Sequence, residues 1–296
     1  MNEKHPDIYL AHLDNLWFQV SGTICNIACS HCFNNSSPQN HSFEFMTLQQ
    51  CRSYIDEAVE MGVKEFYFTG GEPFANKELL QILEYTLQYG PATILSNGML
   101  ITKHTAQELD KISSDSIYTL ELRISLDGCT EEMNDKIRGK GVFVKAMNGI
   151  KHLYENGFLP IVTITKTWEE SEDEQVMDGF IRMLKEYGYF RPRLKILPSL
   201  KIGKEAIRSG GYDNYEYVSE KMLNDYDVSQ LICSNSRLVT GRGVYVCPIL
   251  INEDDAKLGD TLIEAKKPYN IKHQACYTCY LYGAICSNFS SIKRDA

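Results

Sequence analysis

The chain has 296 residues, of which 43% are hydrophobic and 23% are charged, and its formal net charge at pH 7 is −9. This length and ordinary composition predict one large globular domain, or a domain with an appendage, and exclude fibres, coiled coils and disordered tails. The negative net charge, without any cluster of Lys and Arg, disfavours nucleic acid as a partner.

The longest apolar stretch, residues 244–251, is much shorter than the roughly 18 residues of a membrane-spanning helix. The first residues lack the cationic start and the apolar run of a secretory signal. We therefore expect no membrane partner and a cytoplasmic location, where disulfides are disfavoured.

Apolar, β-branched runs alternate with helical periodicity over the first two hundred residues. The expected strands are 16–20, 63–68, 92–95, 120–126, 160–165 and 194–197. Helices are expected after the capping box that begins at Thr47, after Asn76, and over about 102–112, 142–156 and 173–187. Units of this kind predict a parallel sheet with right-handed crossovers, either flat or closed toward a barrel.

Four of these strands end in polar or glycine-rich residues. The segments are Ser21-Gly22-Thr23, Thr69-Gly70-Gly71-Glu72-Pro73, Ser96-Asn97-Gly98 and Ser125-Leu126-Asp127-Gly128. Barrel enzymes place their chemistry on the loops that leave the carboxyl ends of the strands. This pattern favours a barrel with a ligand site at that edge.

The alternation ends near residue 200, where we place a domain boundary between residues 1–200 and 201–296. Gly203, Gly210 and Gly211 indicate a linker, one short helix is expected over about 215–224, and 243–247 is a short strand candidate.

Eight of the ten cysteines fall into two groups, which indicates two metal sites. The first group is Cys25-x3-Cys29-x2-Cys32, and the second comprises Cys233, Cys247, Cys276, Cys279 and Cys286. Three thiolates on one short loop suit a 4Fe-4S cluster with one open iron. Zinc would need a fourth ligand, and His31 stands too close to Cys32 for its ring to turn back onto the same ion.

The segment Cys25-x3-Cys29-x2-Cys32 after a first strand, with His31 before the last cysteine, resembles the radical S-adenosylmethionine superfamily. Thr69-Gly70-Gly71-Glu72-Pro73 after the second strand matches the second motif of that family. The resemblance covers the first two hundred residues and implies an α/β fold with a partial (β/α)6 barrel. It also implies that the open iron binds S-adenosylmethionine, which one electron cleaves to a 5′-deoxyadenosyl radical that abstracts hydrogen from a substrate.

The resemblance implies cofactor contacts from His31, Gly70, Gly71, Glu72, Pro73 and Ser125. Gly70 and Gly71 would let backbone approach the methionine ammonium, Glu72 would supply an acceptor, and Ser125 would contact the ribose.

Three further polar residues have two interpretations each. Asp127 either binds ribose or substrate or is a turn residue before Gly128. Asn97 either contacts the cofactor or only forms a turn. Arg138 either pairs with a carboxylate of the cofactor or substrate or is a surface charge.

The C-terminal cysteines taken alone suit zinc. Beside such a barrel they resemble the twitch form of the SPASM auxiliary-cluster extension. The resemblance implies one auxiliary 4Fe-4S cluster on Cys233, Cys247, Cys276 and Cys279, with Cys286 as an alternate ligand. Five cysteines follow residue 200 and the full extension needs eight ligands, so a second auxiliary cluster is not expected. One departure is that three residues, rather than the usual four, separate Gly243 from Cys247.

Two cysteines lie outside these groups. Cys51 falls on the apolar face of its helix and is expected in the core. Cys129, after Asp127-Gly128, is either a buried structural cysteine or a hydrogen donor to a substrate radical.

These observations predict an oxidoreductase-type enzyme with two 4Fe-4S clusters and S-adenosylmethionine that oxidises or crosslinks a small natural product or a peptide. An electron donor such as flavodoxin or ferredoxin is the expected protein partner. Because 24 residues precede Cys25, we expect no N-terminal peptide-recognition domain. Two alternatives remain open: a peptide epimerase with Cys129 as hydrogen donor, and a non-catalytic zinc-binding α/β module.

Overall fold

The computed structural model describes residues 4–283. The strands are β1 (Asp7–Ile8), β2 (Asn15–Gln19), β3 (Glu65–Thr69), β4 (Ala92–Ser96), β5 (Leu120–Ser125), β6 (Ile161–Thr165), β7 (Arg193–Leu197), β8 (Ser236–Thr240), β9 (Gly243–Tyr245), β10 (Lys257–Gly259) and β11 (Tyr269–Asn270). The helices are α1 (Leu48–Glu60), α2 (Leu79–Thr86), α3 (Lys103–Ser114), α4 (Glu131–Arg138), α5 (Val142–Glu155), α6 (Asp173–Glu186), α7 (Gly203–Ser209) and α8 (Ala275–Tyr282).

The six strands expected from the sequence are present as β2 to β7, and their bounds agree within two residues. They lie side by side in chain order, and every pair between them is parallel. The expected α/β fold class is therefore confirmed. Outside β2 the sheet continues through β8, which is parallel to β2, and then through the antiparallel strands β9 and β10.

The six parallel strands curl around one cavity of about 220 Å³, which we call the central cavity. Each strand contributes a side chain to its lining, and examples in strand order are Trp17, Thr69, Leu95, Ser125, Thr165 and Leu197. Because side chains alternate along a strand, the neighbouring residues Leu16, Phe18, Phe66 and Phe68 point to the opposite face, where they are fully buried in the hydrophobic core. This arrangement is a partial barrel whose interior carries both polar and apolar side chains and whose outer face packs in the hydrophobic core.

The structure differs from the expected elements mainly after residue 200. The expected linker contains α7, and residues 220–223 form only a short 3-10 turn in place of a helix over 215–224. Strand β8 was not expected, because buried polar residues interrupt its apolar alternation. The strands after residue 200 extend the same sheet, so the domain boundary stays a prediction.

Two helices near the carboxyl ends of the strands also differ from the expectation. Helix α4 was not expected; it begins after Thr130, whose side chain accepts a hydrogen bond from the Met133 N–H. Helix α2 begins at Leu79 rather than directly after Asn76. Within residues 4–283, no helix combines the length and the apolar character that crossing a bilayer requires.

Asn76 instead joins three segments around the end of β2. Its buried side-chain amide donates to the carbonyl oxygens of Val20 and Met46, both at 2.8 Å, and its oxygen accepts from the Glu78 N–H at 2.9 Å. These bonds fix the chain where β2 leads into the first group of cysteines.

We expect Asn76→Ala to lower the free energy of unfolding by about 2 kcal/mol, because the Met46 carbonyl loses the Asn76 amide and the Val20 carbonyl keeps only its bond from the Met46 N–H. Urea unfolding followed by circular dichroism measures the change. The control is Asn214→Ala at an exposed position, which should stay within about 0.5 kcal/mol of the parent. Equal effects of the two substitutions would contradict the role of Asn76.

Candidate functional site

The first three cysteines lie on a loop between β2 and α1, residues 20–37, which we call the cysteine loop. Its two ends approach each other, since the Cys25 N–H donates to the Ser37 carbonyl and the Ser37 N–H donates to the Thr23 carbonyl. Cys25, Cys29 and Cys32 all line the central cavity. The structure therefore brings the three predicted thiols to the mouth of the barrel.

Gly70 and Gly71 pack directly against this loop. The Gly71 N–H donates to the Gly22 carbonyl at 2.9 Å, and the Glu72 N–H donates to the Ile24 carbonyl at 3.1 Å. A Cβ at Gly71 would stand 2.2 Å from the Ile24 carbonyl oxygen. The glycines also line the central cavity, but the close contact of two backbones is what excludes a side chain here.

Glu72 is fully buried and joins the ends of β3 and β4. Its carboxylate accepts hydrogen bonds from the Ser96 hydroxyl at 2.7 Å, the Asn97 N–H at 2.8 Å and the Phe74 N–H at 3.1 Å. Within the described part of the chain it is not among the residues that line the central cavity. Both oxygens are used by the protein, so the geometry favours a positioning role over the expected contact with the cofactor. Pro73 is buried in the 3-10 turn that Glu72 caps.

Burial raises the pKa of Glu72 from 4.5 to about 7, against the opposing effect of its three hydrogen bonds. A carboxyl group with a raised pKa in the folded state stabilises the protein fully below pH 4.5, and that contribution is lost as the pH rises through 7.

We expect the parent protein to lose about 3 kcal/mol of stability relative to Glu72→Gln between pH 4.5 and pH 7, since the amide does not ionise. Urea unfolding at a series of pH values measures the difference between the two proteins. The control is Glu84→Gln at an exposed position on α2, and its stability relative to the parent should not change comparably between pH 4.5 and pH 7. A difference that stays constant across this range would contradict the raised pKa.

Asp127 is the centre of a buried charge network. Its Oδ2 atom lies 2.6 Å from His31 Nε2 and 2.6 Å from Arg138 Nε, and its Oδ1 atom accepts from the Thr165 N–H at 3.0 Å. Burial alone would raise the pKa of Asp127, but the charge of Arg138 and the hydrogen bond from His31 outweigh it and lower the pKa. Both oxygens are engaged, which argues against the direct ribose contact considered from the sequence and makes Asp127 a positioning residue.

His31 and Arg138 extend this network to the central cavity, which both line. Arg138 is buried, so the interpretation as a surface charge is wrong. Its guanidinium interacts favourably with the Cys29 and Cys32 thiols, while the buried Nδ1 atom of His31 has no hydrogen-bond partner among residues 4–283. The network therefore places a positive charge and a free ring nitrogen beside the thiols.

We expect the Asp127–Arg138 pair to show a coupling energy above about 2 kcal/mol in a double-mutant cycle of Asp127→Asn and Arg138→Met, because each single change leaves the other group buried without its partner. The half-buried Lys166–Asp173 pair, at 2.8 Å, is the matched control and should give less than about 1 kcal/mol. Urea unfolding of all variants provides the energies. Similar coupling in the two pairs would refute the network.

Asn97 and Ser125 both line the central cavity. The Asn97 amide donates to the Asn26 side chain at 2.6 Å and lies 3.8 Å from Cys25 Sγ, while its oxygen accepts from the Met99 N–H at 3.0 Å. Asn97 therefore forms a turn and also borders the site, so its two interpretations are compatible.

The two remaining cysteines lie away from the cavity. Cys51 is fully buried in the core on α1, as expected, and burial raises the pKa of its thiol. Cys129 Sγ lies 3.9 Å from Met133 Sδ and stands against Gly179 of α6. Among the residues that the structure describes, the lining of the central cavity does not include Cys129, so the geometry does not support a hydrogen donor there.

The C-terminal cysteines converge on a second, mostly apolar pocket, which we call the cysteine pocket. Its lining includes Cys233, Cys247, Cys276 and Cys279, although the first pair and the second pair are about thirty residues apart in sequence. Burial raises the pKa of Cys233 and Cys276 well above 9, and the neighbouring thiols raise it further. Thiolates are stable in such a place only when a metal binds them. Cys286 lies outside the described residues.

Neither group of thiols has the spacing of a single-ion site. A zinc ion about 2.3 Å from each sulfur requires sulfurs about 3.8 Å apart. In residues 4–283, the only three potential ligands that lie within 4.8 Å of one another are Glu253, Asp255 and His273. No three of the described thiols meet this limit, so they do not have the spacing of ligands to one zinc ion.

Sequence reasoning missed the polar floor of the central cavity. Trp17 Nε1 and Thr163 Oγ1 are buried there and have no hydrogen-bond partner within the described range, and Arg123 lies beside them. Alternation along the strands was the available signal, since residues two apart on a strand, such as Arg123 and Ser125, point to the same face.

Comparison with known proteins agrees with this geometry. The family model for the radical SAM superfamily matches residues 20–194. The chain belongs to this superfamily. Membership implies a 4Fe-4S cluster and S-adenosylmethionine as cofactors.

Several curated proteins are similar in sequence. The chain is 29% identical over 218 residues to the mycofactocin maturase MftC of Mycolicibacterium smegmatis, covering 73% of this chain and 51% of that protein. It is 30% identical over 143 residues to the antilisterial bacteriocin subtilosin biosynthesis protein AlbA of Bacillus subtilis, covering 48% of this chain and 31% of that protein. The chain thus spans about half or less of these relatives.

Two solved structures share the fold. Native anSMEcpe with bound AdoMet superposes with a TM-score of 0.61 at 16% identity, over 91% of this chain and 82% of that one. Streptococcus suis SuiB bound to the precursor peptide SuiA superposes with a TM-score of 0.64 at 15% identity, over 88% of this chain and 66% of that one. At these identities the likeness concerns the fold alone.

Proposed function

We propose that this chain is a radical S-adenosylmethionine enzyme with two 4Fe-4S clusters that oxidises or crosslinks its substrate. Cys25, Cys29 and Cys32 would hold the first cluster, and the four thiols of the cysteine pocket would hold the second. The observation that carries the proposal is that the three thiols line the same cavity as Gly70, Gly71 and Ser125.

When bound, the first cluster and S-adenosylmethionine supply one-electron cleavage of the sulfonium and abstraction of hydrogen from the substrate. The protein provides charge balance and position. Arg138, held by Asp127, brings a positive charge to the thiolates, and the free Nδ1 atom of His31 faces the same space. Asn97 and Ser125 offer polar contacts at the rim of the cavity.

The floor of the central cavity would receive the substrate. Trp17 and Arg123 lie two residues before Gln19 and Ser125 on their strands, which places them about 7 Å deeper than the rim. The Trp17 indole N–H and the Thr163 hydroxyl have no described partner, so an acceptor group of a bound molecule would satisfy them.

A peptide is the substrate that the relatives favour. One relative is named for the biosynthesis of a bacteriocin, and a structural neighbour was solved with a precursor peptide. A small natural product is the second candidate. The second cluster would accept an electron from the substrate or bind it directly, and flavodoxin or ferredoxin in the cytoplasm would supply the first electron.

We expect about eight irons per chain after anaerobic reconstitution, and 5′-deoxyadenosine formation once dithionite and S-adenosylmethionine are added. Cys25→Ala should retain about four irons and form no 5′-deoxyadenosine, whereas Cys276→Ala should lose about four irons and still form it. Metal analysis and chromatography measure both quantities.

The control for these variants is Cys129→Ala, which removes a thiol outside both groups and should leave the iron content and the cleavage unchanged. Cleavage that persists in this control while an epimerised product disappears would instead support the epimerase alternative, because the thiol would donate hydrogen to the substrate radical after the cofactor has been cleaved. Binding of zinc in place of iron, with no 5′-deoxyadenosine, would refute the proposed enzyme and favour the zinc-binding module.

To test the substrate, the reconstituted enzyme is incubated with any short precursor peptide encoded beside its gene. Loss of two hydrogen atoms from the peptide, seen by mass spectrometry and absent with Cys25→Ala, is the expected result. An unchanged peptide would shift the proposal to a small molecule.

A further inference from the structure

Arg237 is a fully buried cation next to the cysteine pocket. It lies on β8, where its Nε atom donates to the Ala265 carbonyl at 2.8 Å and its Nη1 atom donates to the Cys233 and Ser236 carbonyls, also at 2.8 Å. Its Nη2 atom is buried and has no hydrogen-bond partner within residues 4–283. The guanidinium therefore has two N–H groups that the described protein does not satisfy.

A buried charge of this kind needs an opposite charge nearby, because its transfer from water is costly. None of the ion pairs of the described chain includes Arg237, and burial lowers the pKa of its guanidinium to about 10, although the nearby Cys233 and Cys247 act in the opposite direction. These two thiols belong to the cysteine pocket. A cluster bound by the thiolates of this pocket would supply the negative charge that balances Arg237.

Tyr269 presents an unsatisfied donor to this pocket. Its side chain lines the pocket and is 5% exposed, and its hydroxyl has no hydrogen-bond partner among the described residues. The thiols of Cys247 and Cys276 are close enough to interact with it. A buried hydroxyl without an acceptor is unfavourable, so a sulfur atom held in the pocket would stabilise it.

We propose that Arg237 and Tyr269 act on the auxiliary cluster by raising its reduction potential. This inference rests on the proposed presence of that cluster. Positive charge and hydrogen bonds to the sulfur atoms both stabilise the reduced, more negative state of an iron–sulfur cluster. A higher potential suits a cluster that accepts an electron from the substrate. Arg237 and Tyr269 would act on the reaction through the cluster, so they are positioning residues and not catalytic residues.

The test uses the full chain with Cys25, Cys29 and Cys32 all changed to Ala, so that only the auxiliary cluster remains. Its midpoint potential is measured by redox titration followed by electron paramagnetic resonance, and its iron content by metal analysis. No activity measurement is needed.

We expect Arg237→Met to make the potential more negative by at least 59 mV, which is a tenfold change in the one-electron equilibrium constant. Arg237→Lys keeps the charge and should give a smaller shift. Tyr269→Phe should shift the equilibrium constant at least threefold in the same direction. The controls are Arg242→Met, an exposed charge on the same hairpin, and Tyr189→Phe, a buried tyrosine whose hydroxyl donates to the Pro160 carbonyl; both should leave the potential unchanged.

The outcomes separate the two proposals. An iron content near zero in the parent of this series would refute the auxiliary cluster and this inference with it. About four irons and a potential that Arg237→Met and Tyr269→Phe leave unchanged would refute the inference alone. If Arg237→Met fails to retain iron, the potential of Tyr269→Phe decides whether the inference holds. The Tyr269 hydroxyl has no described protein partner, so its removal should not impair folding.

Discussion

The candidate site depends on the close approach of backbones to the cysteine loop. Gly71 lies against one part of the loop and Gly203 against another, where a Cβ would stand 2.2 Å from the carbonyl oxygens of Ile24 and Phe33 respectively. The Lys204 N–H also donates to the Cys32 carbonyl at 3.0 Å. Since any side chain at these glycines would push the loop away, the placement of the three thiols depends on two glycines about 130 residues apart in sequence.

Buried charges surround both groups of cysteines, but they are balanced in different ways. Beside the cysteine loop, Arg138 has Asp127 as its counter-ion, so this site carries a neutral pair before anything binds. Beside the cysteine pocket, the hydrogen bonds of Arg237 within residues 4–283 go to carbonyl groups, and the ionisable groups that interact with it there are Cys233 and Cys247. The second site therefore depends more strongly on bound negative charge, because no carboxylate of the described chain compensates its cation.

The sequence predicted the six parallel strands within two residues, because apolar alternation between turn residues is a local signal. It did not predict α7 within a glycine-bracketed segment, nor β8, whose residues Ser236 and Arg237 interrupt the alternation although both are buried. The site residues also divide into those that have a local signal in the sequence and those that do not. Local spacing identified the cysteines and the Gly70-Gly71-Glu72 motif, but the partners of Glu72 and Asp127 lie on other strands and helices and have no local signal.

The sequence by itself determined the family, the two groups of thiols and the order of the parallel strands, since each of these depends on residue types at short, fixed spacings. Only the tertiary structure decided that two pairs of cysteines, about thirty residues apart in sequence, share one pocket. It alone also showed that Glu72 accepts a hydrogen bond from β4 and does not line the cavity, and that Arg237 is a buried cation. The physical reason is that the partner of a buried polar group is set by which distant segments pack around it, and separation along the chain does not encode that packing.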